Sequence, residues 1–369
     1  MEICSREYCT GCTACMAICP KGCITMVEDE IGHFFPQIDE KICVNCGACK
    51  KVCPSINDIS KNRPQKAYAA ISKDNEDYLS SSSGGAASVL SNFVVKNGGI
   101  VYGCTGTNGY DVCHIRIDKA DELWKLKGSK YVESRLGDTF KSIKKDIADG
   151  KNVLFIGTPC QTAGAKSLFS NKENFYAVDL ICHGVPSQKL LKEHLENVSK
   201  EVPDEIKFRD REGFYLQLNK NGRQIKKISH FSDLYYAGFF KTLYYRKSCY
   251  SCMYAKEERC SDITIGDFWG IKSTEINAKN GLSVVLVNTE KGKKLLEECK
   301  DKFVLEEHQP EEAILGNPQL RRPSFPHKNS DKFRKFYPKM GFKKAANRCL
   351  LVNRVKYFIL FVLQNLLKR

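Results

Sequence analysis

CTGCTACMAICP at residues 9–20 and CVNCGACKKVCP at residues 43–54 carry one pattern twice: Cys-x2-Cys-x2-Cys-x3-Cys-Pro. This is the spacing of the bacterial two-cluster ferredoxins, in which three close cysteines ligate one 4Fe-4S cubane and the fourth reaches across to the other. Two-residue gaps let successive thiolates converge on one cluster face. The glycines and alanines between them let the backbone approach and turn N–H groups toward sulfur. Proline closes each run by stopping its short helix. The spacing assigns Cys9, Cys12, Cys15 and Cys53 to one cluster, and Cys43, Cys46, Cys49 and Cys19 to the other. Between the runs, ITMVEDEIGHFFPQID (24–39) reads as strand and turn. Zinc is the competing metal, but zinc sites pair two Cys-x2-Cys motifs rather than tripling the cysteines before Cys-Pro. A segment this short cannot stand on a hydrophobic core alone, so the clusters are expected to serve as its core. Cys4 and Cys23 fall just outside the runs and read as free thiols, with substitution for a ligand as the lesser alternative.

The rest of the chain is ordinary globular sequence, with 42% hydrophobic and 27% charged residues in 369. That length suits about two to three domains. Nineteen cysteines exceed incidental packing, yet they are spread over a chain too long for a disulfide-stapled secreted scaffold. The start, MEICSREYCTGC, shows no basic stretch followed by an apolar one, so a cytoplasmic setting with reduced thiols is expected. Net charge is +15, of which +11 lies in residues 327–369. Each thiolate-bound cubane adds about −2, which leaves the body neutral to slightly acidic, and no nucleic-acid partner is expected.

A polar linker, 58–66 (DISKNRPQK), separates the ferredoxin domain (1–57) from the body. Short apolar runs at 67–71, 100–104, 153–157, 176–182, 263–268 and 283–288 read as strands. Between them, ASVLSNFVVKNG, LGDTFKSIKKDIADG, SQKLLKEHLENVSK and EKGKKLLEECK read as helices. The fold class is therefore an α+β two-cluster ferredoxin domain fused to an α/β body with a mixed or largely parallel sheet.

Four loops carry chemistry. Ser83, Gly84 and Gly85 in SSSGGAASVL open a helix whose N–H groups suit a phosphate, although serine caps also open helices that bind nothing. GTPCQ (157–161) and ICHGVPS (181–187) each follow a strand, at the sheet edge where α/β folds gather their sites. The stretch 249–270 adds a further Cys-x2-Cys. Cys160, Cys182, Cys249 and Cys252 can then meet as a third cluster site, or stay small buried hydrophobes, and Cys260 competes for one position. His183 reads as a loop-fixing histidine or a proton donor.

These residues resemble the beta subunits of coenzyme F420 hydrogenase/dehydrogenase, in the bacterial branch with an N-terminal two-cluster ferredoxin. The resemblance runs from Cys9 to about Gly270 and rests on SSSGG, LKGSKYVES (126–134), GTPCQ, DLICHGVPS, KFRDREG (207–213) and SDITIGDFWG. It implies an iron–sulfur flavoprotein oxidoreductase, with FAD near Ser83, Gly84, Gly85, Lys127, Ser129 and Lys130 and a third 4Fe-4S cluster on some of the cysteines just named. It divides the body into a flavin-binding part, 67–150, and a C-terminal part, 151–326, ahead of the basic tail 327–369. Coenzyme F420 and a polysaccharide-pathway precursor are the candidate substrates. Ferredoxin or a deazaflavin coenzyme is the candidate redox partner. The alternative is an electron-transfer subunit of a larger redox complex with no substrate of its own.

No apolar run in the last twenty residues is long enough to span a bilayer. At 100° per residue, Asn353, Arg354, Lys356, Gln364, Asn365 and Lys368 share one half of a helix. Such a basic amphipathic helix at 350–369 suits either peripheral contact with an anionic membrane, and so a lipid-linked substrate, or packing on protein.

Overall fold

The computed structural model describes residues 1–210 and 213–366, with side chains for all of these but 210 and 351–366. The chain opens with α1 (Ala14–Ile18), the hairpin β1 (Ile24–Glu28) and β2 (Phe34–Ile38), and α2 (Ala48–Lys51). The hairpin pairs antiparallel from Ile24 opposite Ile38 to Glu28 opposite Phe34. Asp29 closes its turn by accepting the N–H groups of Ile31, Gly32 and His33. Each cysteine run reaches its short helix through two left-handed residues, Gly11 and Thr13 in the first, Asn45 and Gly47 in the second.

The body follows as β3 (Lys66–Ser72), α3 (Asn75–Ser80), α4 (Ala86–Lys96), β4 (Ile100–Asn108), β5 (Asp111–Ile117), α5 (Thr139–Ala148), β6 (Val153–Gly157), α6 (Pro159–Phe169), β7 (Phe175–Leu180) and α7 (Gln188–Val198). A three-stranded antiparallel sheet comes next: β8 (Glu205–Asp210), β9 (Gly213–Lys220) and β10 (Arg223–Ser229). Then come α8 (Leu234–Phe240), α9 (Lys247–Tyr250), β11 (Ile263–Asp267), β12 (Ser283–Val287), α10 (Glu290–Cys299), β13 (Phe303–His308), α11 (Pro310–Gly316) and α12 (Ser330–Leu366).

The main sheet is mixed, in the order β13-β3-β12-β11-β7-β6-β4-β5. Its middle strands β4, β6, β7 and β11 run parallel, and the flanking pairs are antiparallel. Both parts of the body expected from the resemblance share this one sheet, because β3 pairs with β12 and β13. β6 is buried on both faces: Leu154 and Ile156 join the layer of α4 and α10, while Val153 and Phe155 join Phe140, Ile143 and Phe169 from α5 and α6. Gly157 at the end of β6 lies opposite Asp179, and Leu180 at the end of β7 lies opposite Ile265 of β11. The loops after all three strands therefore leave along one edge.

A third core is aromatic. Tyr235, Tyr236, Tyr244, Phe333 and Phe342 pack among α7, α8, the small sheet and the start of α12. The first half of the basic tail thus belongs to the body, with Phe333, Phe342, Ala345 and Ala346 fully buried. The helix breaks at Gly341, which is left-handed, and the Glu193 carboxylate accepts the N–H of Phe342 there. The amphipathic face expected for 350–369 lies outside the described side chains; the backbone is helical to Leu366. Among the described residues no helix is long and apolar enough to cross a membrane.

Candidate redox centre

The cysteine runs build two separate cavities. Cys9, Cys12, Cys15 and Cys53 line one. Cys19, Cys43, Cys46 and Cys49 line the other, of about 210 Å³. The fourth cysteine of each run has crossed to the other run's cavity, as the ferredoxin spacing requires. Among the described residues no three Cys, His, Asp or Glu side chains converge tightly enough for a single metal ion; the cysteines stand around a space instead. Cys9, Cys12, Cys15 and Cys53 are buried, whereas Cys46 is exposed and its partners are half-buried. The two sites are therefore an inner and an outer one.

The chain around the inner cavity fits a cluster. The Thr13 hydroxyl is buried against it without a hydrogen-bond partner. Cys9 is lowered to about 6, first by its hydrogen bond with Cys4 and, against burial, by the Arg246 charge. Cys53 is lowered to about 7, again first through Cys4. Burial pushes Cys12 up to about 11. Ligation needs thiolates, which the charge of a bound metal would favour across the set. Cys4 and Cys23 are free thiols, as expected, and both stand at the cavities. Cys4 lines the inner cavity and Cys23 the outer one, where its sulfur lies 3.4 Å from that of Cys19. Spacing put them outside the runs; the fold of the N-terminus and of β1 brings them back.

Beyond the inner cavity the structure brings Cys160, Cys182, Cys249 and Cys252 together. Burial raises all four thiols, Cys182 to about 11, and Cys160 and Cys249 are raised further by the charges of their neighbours in the set. Bound metal would relieve that repulsion. Cys260 belongs to a small buried cluster against which Cys160 and Cys252 pack; burial and Asp179 raise it to about 11, and its sulfur donates to the Pro159 carbonyl.

Three devices fix the set. Cys160 sits in the first turn of α6, begun by Pro159 and by Gln161, whose side chain accepts the Thr158 N–H. One turn later, a Cβ on Gly164 would lie 2.9 Å from the Cys12 Cβ, so only glycine lets the inner loop rest on α6. The buried ion pair of Arg259 and Asp179, 2.9 Å, ties the arm after Cys252 to the end of β7 just before Cys182. Arg259 also donates to the carbonyls of Tyr254 and Leu180, and the Tyr254 hydroxyl donates to the carbonyl of Pro54, next to Cys53.

Between the two sets lies Arg246, 2% exposed. Its Nε donates to the Cys9 carbonyl at 2.8 Å, and its Nη2 to the Phe34 carbonyl at 2.7 Å and the Cys9 sulfur at 3.8 Å. Its Nη1 donates to Glu133 at 2.9 Å, and Glu133 meets the buried His33 at 2.6 Å. Burial pushes the Glu133 carboxyl up, but Arg246 and His33 outweigh it and leave it lowered.

The serine loop and the 126–130 segment are neighbours. Ser82 accepts the Ser129 N–H at 3.0 Å, and Lys127 pairs with Asp77 at 2.6 Å while reaching Ser80. Gly85 is the left-handed N-cap of α4, with no side chain capping it, and the Ser83 hydroxyl is buried without a partner. These two features fit a phosphate at the start of α4. Gly84 serves packing: a Cβ would lie 2.0 Å from the Ala70 carbonyl. Lys130 turns inward to backbone carbonyls. Its ammonium donates to the carbonyls of Cys104 on β4 and of Leu126 and Lys127, all at 2.9 Å, which uses its three donors.

Sequence profiles described as "4Fe-4S dicluster domain" match residues 8–57 and 35–85. A profile for the C terminus of the beta subunit of coenzyme F420 hydrogenase/dehydrogenase matches residues 150–313. Residues 150–313 thus carry the C-terminal domain of the F420 beta-subunit model, behind a 4Fe-4S dicluster domain at residues 8–57. It is 22% identical over 341 residues to a subunit of the F(420)H(2) dehydrogenase of Methanosarcina mazei, covering 85% of this chain and 89% of that protein. It is 27% identical over 287 residues to the beta subunit of the F420-dependent formate dehydrogenase of Methanocaldococcus jannaschii, covering 72% and 69%. A chain of the F420-reducing [NiFe] hydrogenase complex from Methanosarcina barkeri aligns in structure at 18% identity and TM-score 0.48, over 74% of this chain and 92% of that one.

Within the F420 beta-subunit domain lie all four cysteines of the body set, Arg246 and Arg259. Motifs far apart in sequence bond to one another: Gln161 of GTPCQ donates to the Ser134 carbonyl, and Arg209 of KFRDREG pairs with Asp267 at 2.5 Å. Arg211 and Glu212 of that motif lie outside the described residues. Arg246, His33 and Gly164 carry no motif of their own, and the part Glu133 of LKGSKYVES plays beside Arg246 is found only in the fold. The signal that flags Arg246 is its place three residues before Cys249.

Proposed function

We propose that this chain is an iron–sulfur flavoprotein oxidoreductase that exchanges electrons with coenzyme F420, with a third 4Fe-4S cluster on Cys160, Cys182, Cys249 and Cys252 and FAD at the serine loop. The observation that carries the reading is the convergence of those four cysteines beside the inner dicluster site, inside the F420 beta-subunit domain. The outer set includes the exposed Cys46, the inner set is buried and the body set is half-buried, which suits electrons entering at the outer site and passing through the inner one to the body. Iron–sulfur centres pass one electron at a time, and a flavin takes them singly and hands them on in pairs. The chain's own part is to place and to exclude. Gly164 and Tyr254 hold the dicluster module against the body, Arg259 holds the arms of Cys182 and Cys252, and Ser83, Gly85 and Lys127 offer the phosphate cradle.

The test is anaerobic purification, with iron, sulfide and flavin counted per chain, followed by titration with reduced F420. About twelve irons and one FAD, with the flavin spectrum bleached by reduced F420, are expected. About eight irons and no flavin after reconstitution would overturn the reading. A second reading, an electron-transfer subunit of a larger redox complex, is favoured because both relatives are named as subunits. It predicts co-purifying partner chains and only dye-linked activity alone.

A further inference from the structure

Arg246 is a strange residue to find in the interior. Its backbone belongs to the body: its N–H donates to the Val185 carbonyl, three residues past Cys182, and its own carbonyl accepts the Cys249 N–H. Its side chain belongs to the inner site, where Nε and Nη2 face the carbonyl and sulfur of Cys9. The guanidinium lies 4.4 Å over the Phe35 ring and flat on Gly11, where a Cβ would come within 2.9 Å of Nη1. Among the described residues the outer site has no buried cation to match it. At the position matching Gly11 the second run has Asn45, whose side-chain oxygen accepts from Cys43. Lys21 and Lys50 border the outer cavity, but both stand toward solvent, where water and salt screen their charge.

We propose that Arg246 sets the reduction potential of the iron–sulfur group held by Cys9, Cys12, Cys15 and Cys53, holding it above that of the group on Cys19, Cys43, Cys46 and Cys49. Reduction adds negative charge to a cluster and its thiolates. A buried cation that also donates to a ligand sulfur stabilises the reduced form, and hydrogen bonds to sulfur and burial are what tune such potentials. Glu133 offsets part of that charge from the far side, at Nη1, while Nε and Nη2 keep facing Cys9. Electrons are thereby drawn from the exposed site toward the one that touches the body. The inference deepens the electron route proposed above, yet its own measurement needs only the dicluster module.

The test is an EPR-monitored redox titration of the full-length protein, reconstituted anaerobically. Arg246→Met should make the inner group at least tenfold harder to reduce, which for one electron is about 59 mV, and leave the outer midpoint where it was. Arg246→Lys, a charge without the planar fork, should recover part of the shift. Glu133→Gln keeps the guanidinium and removes its counter-charge, so it should move the inner midpoint upward. An unchanged inner midpoint in Arg246→Met, with both groups loaded, overturns the proposal. If that variant does not load its inner site, Glu133→Gln decides, and no upward shift overturns it equally. Midpoints that move as stated in a protein inert toward F420 would refute the route and leave the role of Arg246 standing.

Discussion

Replacing Arg259 with Met tests whether the body cysteines are held by one buried ion pair. Arg259 is 2% exposed, and its partner Asp179 has no exposure at all. Besides the pair itself, Thr264 donates to the other carboxylate oxygen at 2.6 Å. Burial already raises the Asp179 carboxyl despite Arg259 and Thr264 pulling it down. Removing the arginine strands this carboxylate, and stranding one partner of a buried pair costs about 3–5 kcal/mol. At about 2 °C per kcal/mol for a body this large, the melting temperature should fall by about 6–10 °C. The carbonyls of Tyr254 and Leu180 lose their donor as well, so the arms of Cys252 and Cys182 loosen together. Anaerobic calorimetry reads the first effect, and iron per chain the second. Adding Asp179→Asn to Arg259→Met removes the stranded charge and should return a good part of the loss. A single variant melting within about 2 °C of the parent, or a double variant as unstable as the sum of the singles, would refute the reasoning.

Three further outcomes are expected. His114, buried against Phe155 and bonded to Ser134 and the Ile156 carbonyl, is lowered to about 4 by burial. The unfolded chain therefore takes up this proton near pH 6.5 and the native chain does not, so stability present above pH 6.5 is lost as the pH falls toward 4, by about 2 kcal/mol between pH 7 and 5. His114→Gln should flatten that part of the melting profile, and an equal slope in both proteins would count against it. Cys53→Ser should remove the EPR signal of the group on Cys9, Cys12 and Cys15 while sparing the one on its sequence neighbours Cys43, Cys46 and Cys49; the reverse pattern would sink the crosswise assignment. Lys130→Met should cost about 2–3 kcal/mol by stripping three carbonyls of their donor, whereas Lys127→Met should cost about 1 kcal/mol or less but lower flavin content after reconstitution. Melting temperature and flavin per chain separate the two.

The ligands of the dicluster site were legible because their chemistry is local: a cubane imposes its spacing on cysteines three or four positions apart. The strands of the main sheet were legible for a similar reason, since VLFIG and SVVLVN are apolar on both faces. What stayed hidden depends on distance along the chain. Arg246 meets Cys9 across 237 positions, and in the sequence it is one arginine among many. Gly164 looks like a helix-weakening residue until Cys12 is seen resting on it. The small sheet of β8, β9 and β10 was concealed because KFRDREG reads as a motif and its flanks alternate only weakly. Beside a glycine-rich loop Lys130 looks free for phosphate, and its three carbonyl partners emerge only in the fold.

The linker is the feature with the widest consequence. Residues 58–66 looked like a polar spacer, but Asn62 and Arg259 exchange two backbone hydrogen bonds of 2.9 Å, Arg63 pairs with Glu257, and the Gln65 N–H reaches the Val287 carbonyl. The segment is a seam, stitched to the same stretch that carries Cys252 and Arg259. A tethered carrier collects charge in one place and delivers it in another by swinging, and its rate then depends on viscosity and tether length. This module is built like soldered wiring: its rate should follow gap and driving force, and lengthening the linker should break the circuit rather than slow a shuttle.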